Sequence, residues 1–237
     1  GWEDRKQRVA QYILDNDIDI VGMQEVLNDQ LTYLQSSLKE YSYIGVGRTD
    51  GNTEGEYSCI FYKKDKYEVL DQGNFWLSET PEKVGSIGWD AAIERIATWG
   101  KFRDKKTGKI FMAVNTHFDH VGISARKNSV EMIIDKAKTF TDIPVVFTAD
   151  MNVVQGSTNY NQFVDSGYFR DTKFAAPDSM NYCTYHDTKP QNHKDDVIDY
   201  VMINDGFKAL TYRVVNEGID GRFVSDHYPI YADIEMK

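Results

Sequence analysis

The stretch IPVVFTADMN, residues 143–152, has the pattern of a buried strand that ends in a polar turn. Residues 144–149 are almost all apolar, and an uninterrupted apolar run of this length is typical of a strand covered on both faces. Asp150 and Asn152 follow it directly, and both residue types favour turns. The stretch therefore predicts a buried strand that presents two polar side chains at its end.

An apolar run next to an ionisable residue also occurs at four other places in the chain. Glu25 follows residues 20–23, His117 follows residues 111–114, Asp199 lies within residues 197–201, and Asp226-His227 precede residues 228–230. Each residue taken alone has an ordinary explanation, such as a helix cap, a core histidine or a strand-edge ion pair. Strand ends are rigid positions from which loops carry function, so the repeated placement predicts one functional site.

Helical and strand patterns alternate between these positions. Val9, Tyr12 and Ile13 have helical spacing near the amino end, and Asn28 is a suitable N-cap for a second helix. Paired strand patterns in the middle of the chain, for example around the turn at residues 104–108, indicate hairpins. No linker, repeat or low-complexity segment interrupts residues 1–237. We therefore predict a single α/β domain with two packed mixed or antiparallel sheets and helices outside them.

Composition restricts the class of protein. The chain has 27 basic and 37 acidic residues and a formal charge of −10, which disfavours a protein that coats nucleic acid. A metal ion would still permit contact with individual phosphates, because it supplies positive charge. No run approaches the ~18 consecutive apolar residues of a membrane span. We expect a soluble monomer; its compartment stays open, and so does a secretion signal ahead of Gly1.

Five short motifs follow one another along the chain: Gln24-Glu25, Asn115-Thr116-His117, Asp150-Met151-Asn152, Ile198-Asp199-Tyr200 and Ser225-Asp226-His227. This series resembles that of the endonuclease/exonuclease/phosphatase superfamily. Residues 55–62, 75–78 and 95–99 resemble a bacterial branch of it that lacks an assigned substrate. The resemblance implies a deoxyribonuclease-I-like, four-layer α/β sandwich and a hydrolase that acts on phosphate esters.

The resemblance also implies roles for individual residues. Glu25 and Asp226 are the expected ligands of Mg²⁺ or Mn²⁺, ions that prefer oxygen donors. The expected catalytic residues are Asp150 as general base, Asn152 and His117 as phosphate contacts, and His227 oriented and charged by Asp199. Members of the superfamily begin with a strand that ends in a metal-binding asparagine, just before the segment that resembles Trp2–Arg5. Since the chain starts at Gly1, we expect that strand and that ligand to be missing.

Three further residues are candidates for supporting the site. Glu56 opens a strand-like run at residues 57–62, where related enzymes carry a glutamate that pairs with the histidine of the Thr-His motif. We therefore predict a hydrogen bond between Glu56 and His117. Arg48 and Arg95 are candidates for contact with a substrate phosphate.

The leading functional hypothesis is a metal-dependent phosphodiesterase or phosphatase in which an activated water attacks phosphorus in line. A nuclease that acts on DNA or RNA, as an endonuclease or a 3′–5′ exonuclease, is the main alternative. A non-catalytic binding protein on the same fold is a third hypothesis, although it would be expected to lack Asp150, Asn152 or His227. A metal-free serine esterase has no support, because no Gly-x-Ser-x-Gly segment is present.

Overall fold

The computed structural model describes residues 1–187 and 197–237. Within these ranges the helices are α1 (Trp2–Asp15), α2 (Asn28–Ser37), α3 (Ile123–Lys138), α4 (Thr158–Asp165) and α5 (Thr172–Ala175). The strands are β1 (Ile20–Gly22), β2 (Tyr41–Ile44), β3 (Ile60–Lys63), β4 (Tyr67–Trp76), β5 (Ile96–Asp104), β6 (Ile110–His117), β7 (Val145–Asp150), β8 (Arg170–Asp171), β9 (Asp178–Ser179), β10 (Asp199–Ile203), β11 (Phe207–Val214) and β12 (Ile230–Met236). The quoted stretch at residues 143–152 is therefore a strand followed by a turn, as predicted.

One sheet contains six strands in the order β4-β5-β6-β7-β10-β8. β6 and β7 are parallel, whereas the other neighbouring pairs are antiparallel. The predicted hairpin joins β5 to β6. In its turn the Asp104 carboxylate accepts hydrogen bonds from the backbone N–H groups of Lys106 and Thr107, and Gly108 has a φ of 75°. The turn residues thus satisfy the hydrogen bonds of the local backbone N–H groups and set the register of this half of the sheet.

The opposing layer consists of two three-stranded sheets, β1-β3-β2 and β12-β11-β9. Their strands pair antiparallel except for β9 and β11, which are parallel. Residues of β1 and β12 line a cavity of about 940 Å³ that reaches the six-stranded sheet. No strand of the described ranges hydrogen-bonds to the free edge of either β1 or β12. The expected pair of mixed sheets is present, with one of them divided at this cavity.

Three apolar clusters hold the layers together. The two sheet layers pack through a cluster that includes Phe102, Phe111, Ile203 and Tyr212. A second cluster joins the six-stranded sheet to α3 and α4, and a third joins α1 and α2 to β2 and β3. The order is therefore helices, sheet, sheet, helices, which confirms the predicted four-layer α/β sandwich.

Cys59 is fully buried within the third cluster, in agreement with its interpretation as a small core residue. Burial also raises the pKa of its thiol to about 12, so the side chain stays uncharged. Among the described residues, no helix has both the length and the apolar character needed to cross a bilayer.

Candidate functional site

Three neighbouring strands bring predicted site residues to the same end of the six-stranded sheet, where β6 and β7 finish and β10 begins. His117 is the last residue of β6 and is paired in register with Asp150, the last residue of β7. Asp150 is paired in turn with Asp199, the first residue of the antiparallel strand β10. All three side chains are largely buried. The strand ends that stood far apart in the sequence therefore form one continuous site.

The segment that carries Asp226 and His227 is held against this end by backbone hydrogen bonds. Tyr228 N–H donates to the Thr184 carbonyl at 2.7 Å, and His186 N–H donates to the Asp226 carbonyl at 3.0 Å. The fully buried Thr184 hydroxyl also accepts a hydrogen bond from Asp199 N–H at 3.1 Å. Thr184 thus joins the start of β10 to the Asp226–His227 segment. Its importance was not predicted, since an isolated threonine carries no sequence signal for such a contact.

His227 lies between two carboxylates. Its Nδ1 is 2.9 Å from Asp199 Oδ2, and its Nε2 is 3.8 Å from Asp150 Oδ2. Burial by itself would lower the pKa of His227, but the Asp199 carboxylate, with help from Asp150 and Asp226, raises the pKa to about 10. The ring is therefore an imidazolium at neutral pH, with both N–H groups directed at acceptors.

The pKa of the Asp150 carboxyl group is also raised, which for an acid favours the neutral form. Burial and the nearby Asp199 charge raise its pKa to about 7, against a smaller opposing effect of His227. One carboxylate oxygen accepts a hydrogen bond from Asn152 N–H at 2.8 Å, and the other faces both histidines. A carboxyl group with a pKa near neutrality can both accept and release a proton, which is what a general base requires.

The second histidine of the site is neutral. Asn152 Nδ2 lies 2.9 Å from His117 Nε2 and also donates to the Phe118 carbonyl at 3.0 Å. An amide N–H donates, so Nε2 acts as the acceptor and Nδ1 carries the ring proton. Burial, followed by the charges of Arg95 and Arg48, lowers the pKa of His117 to about 2. Nδ1 is buried, has no hydrogen-bond partner among the described residues and is 3.9 Å from Glu25 Oε1.

Glu25 lies at the mouth of this site on a strained backbone. Its φ of 58° is in the left-handed region, and its side chain is 62% exposed. Although the side chain is exposed, partial desolvation by the surrounding walls of the site raises its pKa, and the neighbouring carboxylates of Glu56 and Asp226 raise it further. Non-glycine residues adopt this backbone at a cost of about 1–3 kcal/mol, and such residues cluster at functional positions. The strained backbone places an accessible carboxylate beside Asp226.

Two sets of side chains could hold a divalent cation. Asp150, Asp199 and His227 each offer one ligand atom, and these atoms lie within 4.8 Å of one another. In that set, however, the imidazolium of His227 already offsets one carboxylate charge and has no lone pair to offer a metal. Glu25 and Asp226 lack such a cation at hydrogen-bond distance among the described residues and provide the oxygen donors that Mg²⁺ and Mn²⁺ prefer. The donor chemistry therefore fits a cation better at Glu25 and Asp226.

The predicted hydrogen bond between Glu56 and His117 is wrong. Glu56 Oε2 instead accepts a hydrogen bond from Arg48 Nη1 at 2.6 Å. The backbone explains this choice, because Arg48 N–H donates to the Glu56 carbonyl at 3.1 Å and places the two residues directly opposite each other. The carboxylate therefore pairs with the neighbour that the loop backbone places opposite to it.

Arg95 is also part of the wall of the site. Only 4% of the residue is exposed, and its Nε is 3.5 Å from Asp119 Oδ2, while Nη2 is 3.0 Å from His120 Nδ1. Asp119 is fixed by the backbone N–H groups of Val121 and Gly122. Arg95 was predicted as a candidate, whereas its partner Asp119 was not.

Asn115 anchors the Glu25 segment from across the sheet interface. Its Nδ2 donates to the carbonyls of Met23 and Cys59 at 2.8 and 2.9 Å. Its Oδ1 accepts from Gln24 Nε2 at 2.7 Å and from Thr148 Oγ1 at 2.9 Å. All four hydrogen-bonding capacities of this fully buried amide are therefore used.

The approach of β1 to this amide depends on Gly22. A Cβ atom added at Gly22 would lie 2.1 Å from Thr148 Oγ1 and 2.7 Å from Asn115 Oδ1. Real Cβ atoms do not come so close, so any larger residue would push β1, and with it Glu25, away from the six-stranded sheet.

We expect Asn115→Leu to lower the free energy of unfolding by about 3–5 kcal/mol, because it leaves several buried polar groups without partners at about 1–3 kcal/mol each. Urea denaturation followed by circular dichroism measures this change. Asn74→Ala is a matched control, since it removes a side-chain amide that makes one hydrogen bond, to Thr98, in the adjacent strands. Equal destabilisation by both variants would contradict the anchoring role of Asn115.

Comparison with known proteins agrees with this architecture. A family model described as Endonuclease/Exonuclease/phosphatase family matches residues 1–227. An endonuclease/exonuclease/phosphatase from Bacteroides vulgatus is 45% identical, with a TM-score of 0.96 over 100% of this chain and 92% of that one. A mannosyl-6-phosphatase from Bacteroides thetaiotaomicron VPI-5482 is 36% identical, with a TM-score of 0.93 over 100% of this chain and 92% of that one.

Curated relatives are more distant. Nocturnin from Drosophila melanogaster is 27% identical over 165 residues, which is 64% of this chain and 24% of that protein. The CCR4-Not complex 3′-5′-exoribonuclease subunit Ccr4 from Candida glabrata is 23% identical over 297 residues, or 100% of this chain and 34% of that protein. The chain spans 24% and 34% of the length of these two relatives. On the family model and the two Bacteroides structures, the chain belongs to the endonuclease/exonuclease/phosphatase family.

Proposed function

We propose that the chain is a divalent-metal-dependent hydrolase of phosphate esters that uses Asp150 to activate the attacking water. The observation that carries this proposal is the pair of histidines that face one oxygen of Asp150, with His117 Nε2 at 3.4 Å and His227 Nε2 at 3.8 Å. The electrostatics favour a neutral His117 and a charged His227. Such a pair supplies a cationic and a neutral hydrogen-bond donor around one base.

Glu25 and Asp226 would hold the cation, which we propose to be Mg²⁺ or Mn²⁺. When bound, it would neutralise negative charge on the phosphate and on the departing oxygen. The exposed carboxylate of Glu25 and the exposed position of Asp226 leave room for water and phosphate oxygens beside them.

The remaining steps belong to side chains of this chain. The Asp150 carboxylate accepts a proton from water as the water oxygen bonds to phosphorus and the opposite ester bond breaks. Asn152 positions the phosphate and the water, since an amide does not titrate. His227 donates Nε2–H to a non-bridging oxygen, while Asp199 keeps the ring charged. His117 donates its Nδ1–H, which has no partner in the described part of the chain, to the phosphate without a change of charge.

Within this class we favour a phosphomonoester of a sugar as substrate. The mannosyl-6-phosphatase from Bacteroides thetaiotaomicron supports this choice, because it is 36% identical over the whole of this chain. The formal charge of −10 also disfavours a long polyanionic substrate.

A nuclease is the second candidate. The similarity to the 3′-5′-exoribonuclease subunit Ccr4 favours it, although at 23% identity. The two candidates differ in the length of the polyanion they must bind. Activity on an oligonucleotide should therefore fall steeply with added salt, whereas activity on a sugar phosphate should not.

The decisive experiment is a substrate panel with the chelator-treated protein. Mannose 6-phosphate, bis-p-nitrophenyl phosphate and a single-stranded oligonucleotide are each assayed without metal and with added Mg²⁺ or Mn²⁺. We expect activity only with metal, and fastest on mannose 6-phosphate. Full activity without metal would contradict the metal assignment, and faster cleavage of the oligonucleotide would favour the nuclease.

We expect a bell-shaped pH profile of kcat/KM. Activity should rise with pH as Asp150 loses its proton, through the neutral range to which its pKa is raised, and fall near pH 10 as His227 loses its own. Because a bound cation lowers the pKa of nearby carboxyl groups, the acidic limb should move to lower pH as the Mg²⁺ concentration increases. Initial rates between pH 5 and 11 at two Mg²⁺ concentrations test this expectation, with overlapping buffers as a control for buffer effects. A profile without an alkaline limb would contradict the charged state of His227.

A further inference from the structure

Arg48 and Arg95 form an arginine pair beside the reaction centre. Arg95 is almost fully buried, and its Nη1 has no hydrogen-bond partner among the described residues. The Nε of Arg48 is likewise buried without a hydrogen-bond partner in the described chain. A buried N–H group without a partner costs about 1–3 kcal/mol. These donors are therefore suited to a ligand that completes their hydrogen bonds.

The arginine pair borders the site on the side of His117. Thr116 Oγ1, next to His117, donates to the carbonyl of Ile96, next to Arg95, at 2.8 Å, and Arg95 Nη2 is 3.0 Å from His120 Nδ1. The charges of both arginines also act to lower the pKa of His117. The carboxylates of Asp150, Asp199 and Asp226 surround His227 on the other side. A substrate whose phosphate lies between the two histidines can therefore extend its leaving group towards the arginine pair.

Acidic side chains offset the charge of the arginine pair. Arg48 donates to Glu56 at 2.6 Å and has Glu94 at 3.9 Å, while Arg95 has Asp119 at 3.5 Å. Three carboxylates thus accompany two guanidinium groups. A second phosphate group, or the backbone of a polynucleotide, would find no excess of positive charge here.

The same balance suits a neutral, hydroxylated group. Sugar hydroxyls both donate and accept hydrogen bonds, and this wall offers guanidinium donors next to a carboxylate that is 31% exposed, that of Glu56. The wall is also fixed in place, because Trp76 Nε1 donates to the Arg48 carbonyl at 2.6 Å and Leu77 N–H donates to the Arg95 carbonyl at 2.8 Å. Preformed polar groups of this kind give orientation and specificity to a binding site.

We propose that Arg48, Glu56 and Arg95 form a subsite that binds the hydroxyl groups of a monosaccharide leaving group. This inference rests on the proposed hydrolysis of phosphate esters and names the part of the site that selects among them. It predicts that an ester of a hydroxylated alcohol is preferred to an ester of a plain alcohol with the same number of carbon atoms.

The test compares mannose 6-phosphate with n-hexyl phosphate, which has a primary alkyl leaving group without further hydroxyls. We expect the wild-type protein to prefer mannose 6-phosphate by at least about 10-fold in kcat/KM, since polar sites strongly reject analogues that leave them unpaired. Arg48→Gln and Glu56→Gln should each reduce this ratio to less than about 3-fold, mainly through a higher KM for the sugar phosphate. Arg95→Lys, which keeps the buried charge, should reduce it in the same direction.

The pair formed by Arg103 and Glu68 provides matched controls. Arg103 Nη1 is 3.0 Å from Glu68 Oε2, and both side chains are about half exposed on the edge hairpin. Arg103→Gln and Glu68→Gln therefore remove an arginine–glutamate contact outside the site and should leave the substrate ratio unchanged.

Several outcomes would overturn the inference. An equal loss of activity on both substrates would show that the arginine pair acts on the transferred phosphate. Preference for fructose 1,6-bisphosphate over its monophosphate, lost in Arg48→Gln, would show an anion subsite. Absence of turnover with every ester would contradict the proposed function instead. Calorimetric titration of wild-type and Arg48→Gln protein with mannose 6-phosphate and n-hexyl phosphate would then test the subsite separately. Equal affinities of both proteins for mannose 6-phosphate would refute it.

Discussion

Asp150→Asn should lower kcat by about 10²–10⁴-fold, which is the range of contributions from a positioned general base. The amide keeps the size of the side chain and can still accept the hydrogen bond from Asn152 N–H, but it cannot take a proton from water. Steady-state rates with mannose 6-phosphate at saturating Mg²⁺ measure the effect.

The same substitution should make the fold more stable. A carboxyl group whose pKa is raised in the folded protein contributes stability below its unfolded pKa near 4, and this contribution is lost as pH rises towards its folded pKa. At pH 8 the ionised Asp150 therefore opposes folding, and its neutral replacement should raise the free energy of unfolding by about 1–3 kcal/mol. Each kcal/mol corresponds to an increase of roughly 2–4 °C in Tm.

Asp205→Asn is the matched control for this prediction. Asp205 is an exposed carboxylate at the far end of β10, where it pairs with Arg170. The control should change neither kcat nor Tm appreciably, because exposed pairs contribute little. If Asp150→Asn kept wild-type kcat, Asp150 would not be the base.

His227→Gln should reduce kcat by about 10²–10³-fold, comparable to removal of one donor to a transition-state oxygen. In contrast to Asp150→Asn, it should also destabilise the fold at pH 7. A histidine with a raised pKa contributes stability below its unfolded pKa near 6.5, and the contribution disappears as pH rises towards 10. Loss of the charged hydrogen bond to Asp199 should cost about 1.5–3 kcal/mol, measured by urea denaturation.

Asp199→Asn separates the orienting role of Asp199 from its charge. The amide oxygen can still accept from His227 Nδ1–H, but the pKa of His227 should fall because the attraction of the carboxylate is lost. The alkaline limb of the kcat/KM profile should therefore move to lower pH while the KM for substrate changes little. An alkaline limb that stayed near pH 10 would show that the charge of His227 does not depend on Asp199.

Much of the fold could be predicted from local patterns. The apolar run at residues 144–149 gives way to Asp150 because the strand ends there, at the candidate site, and the same reasoning applied to His117 and Asp199. What the pattern could not show was that these three residues are register partners on adjacent strands. Register across a sheet depends on distant residues, so the repeated placement at strand ends predicted one site but not which of these side chains are neighbours.

The wrong prediction for Glu56 and the residues that the sequence did not reveal also have physical explanations. Glu56 was given the wrong partner because the loop that brings Arg48 opposite to it has no clear strand pattern. Asn115 and Thr184 were not given roles, since buried amides and hydroxyls look the same in a sequence whether they bridge two sheets or lie in a turn. The neutral state of His117 depends on burial and on two arginines distant in sequence.

The left-handed backbone at Glu25 and Asn152 has a consequence for protein engineering. Within residues 1–187 and 197–237, seven non-glycine residues have a positive φ: Asp17, Glu25, Trp89, Asp142, Asn152, Asp187 and Asp220. Glycine adopts this backbone without steric cost, so a routine thermostabilisation screen would select glycine substitutions at such positions. At Glu25 and Asn152 the heat-resistant clones would be the inactive ones, and a screen scored on heat resistance alone would erode the hydrolase it was meant to preserve.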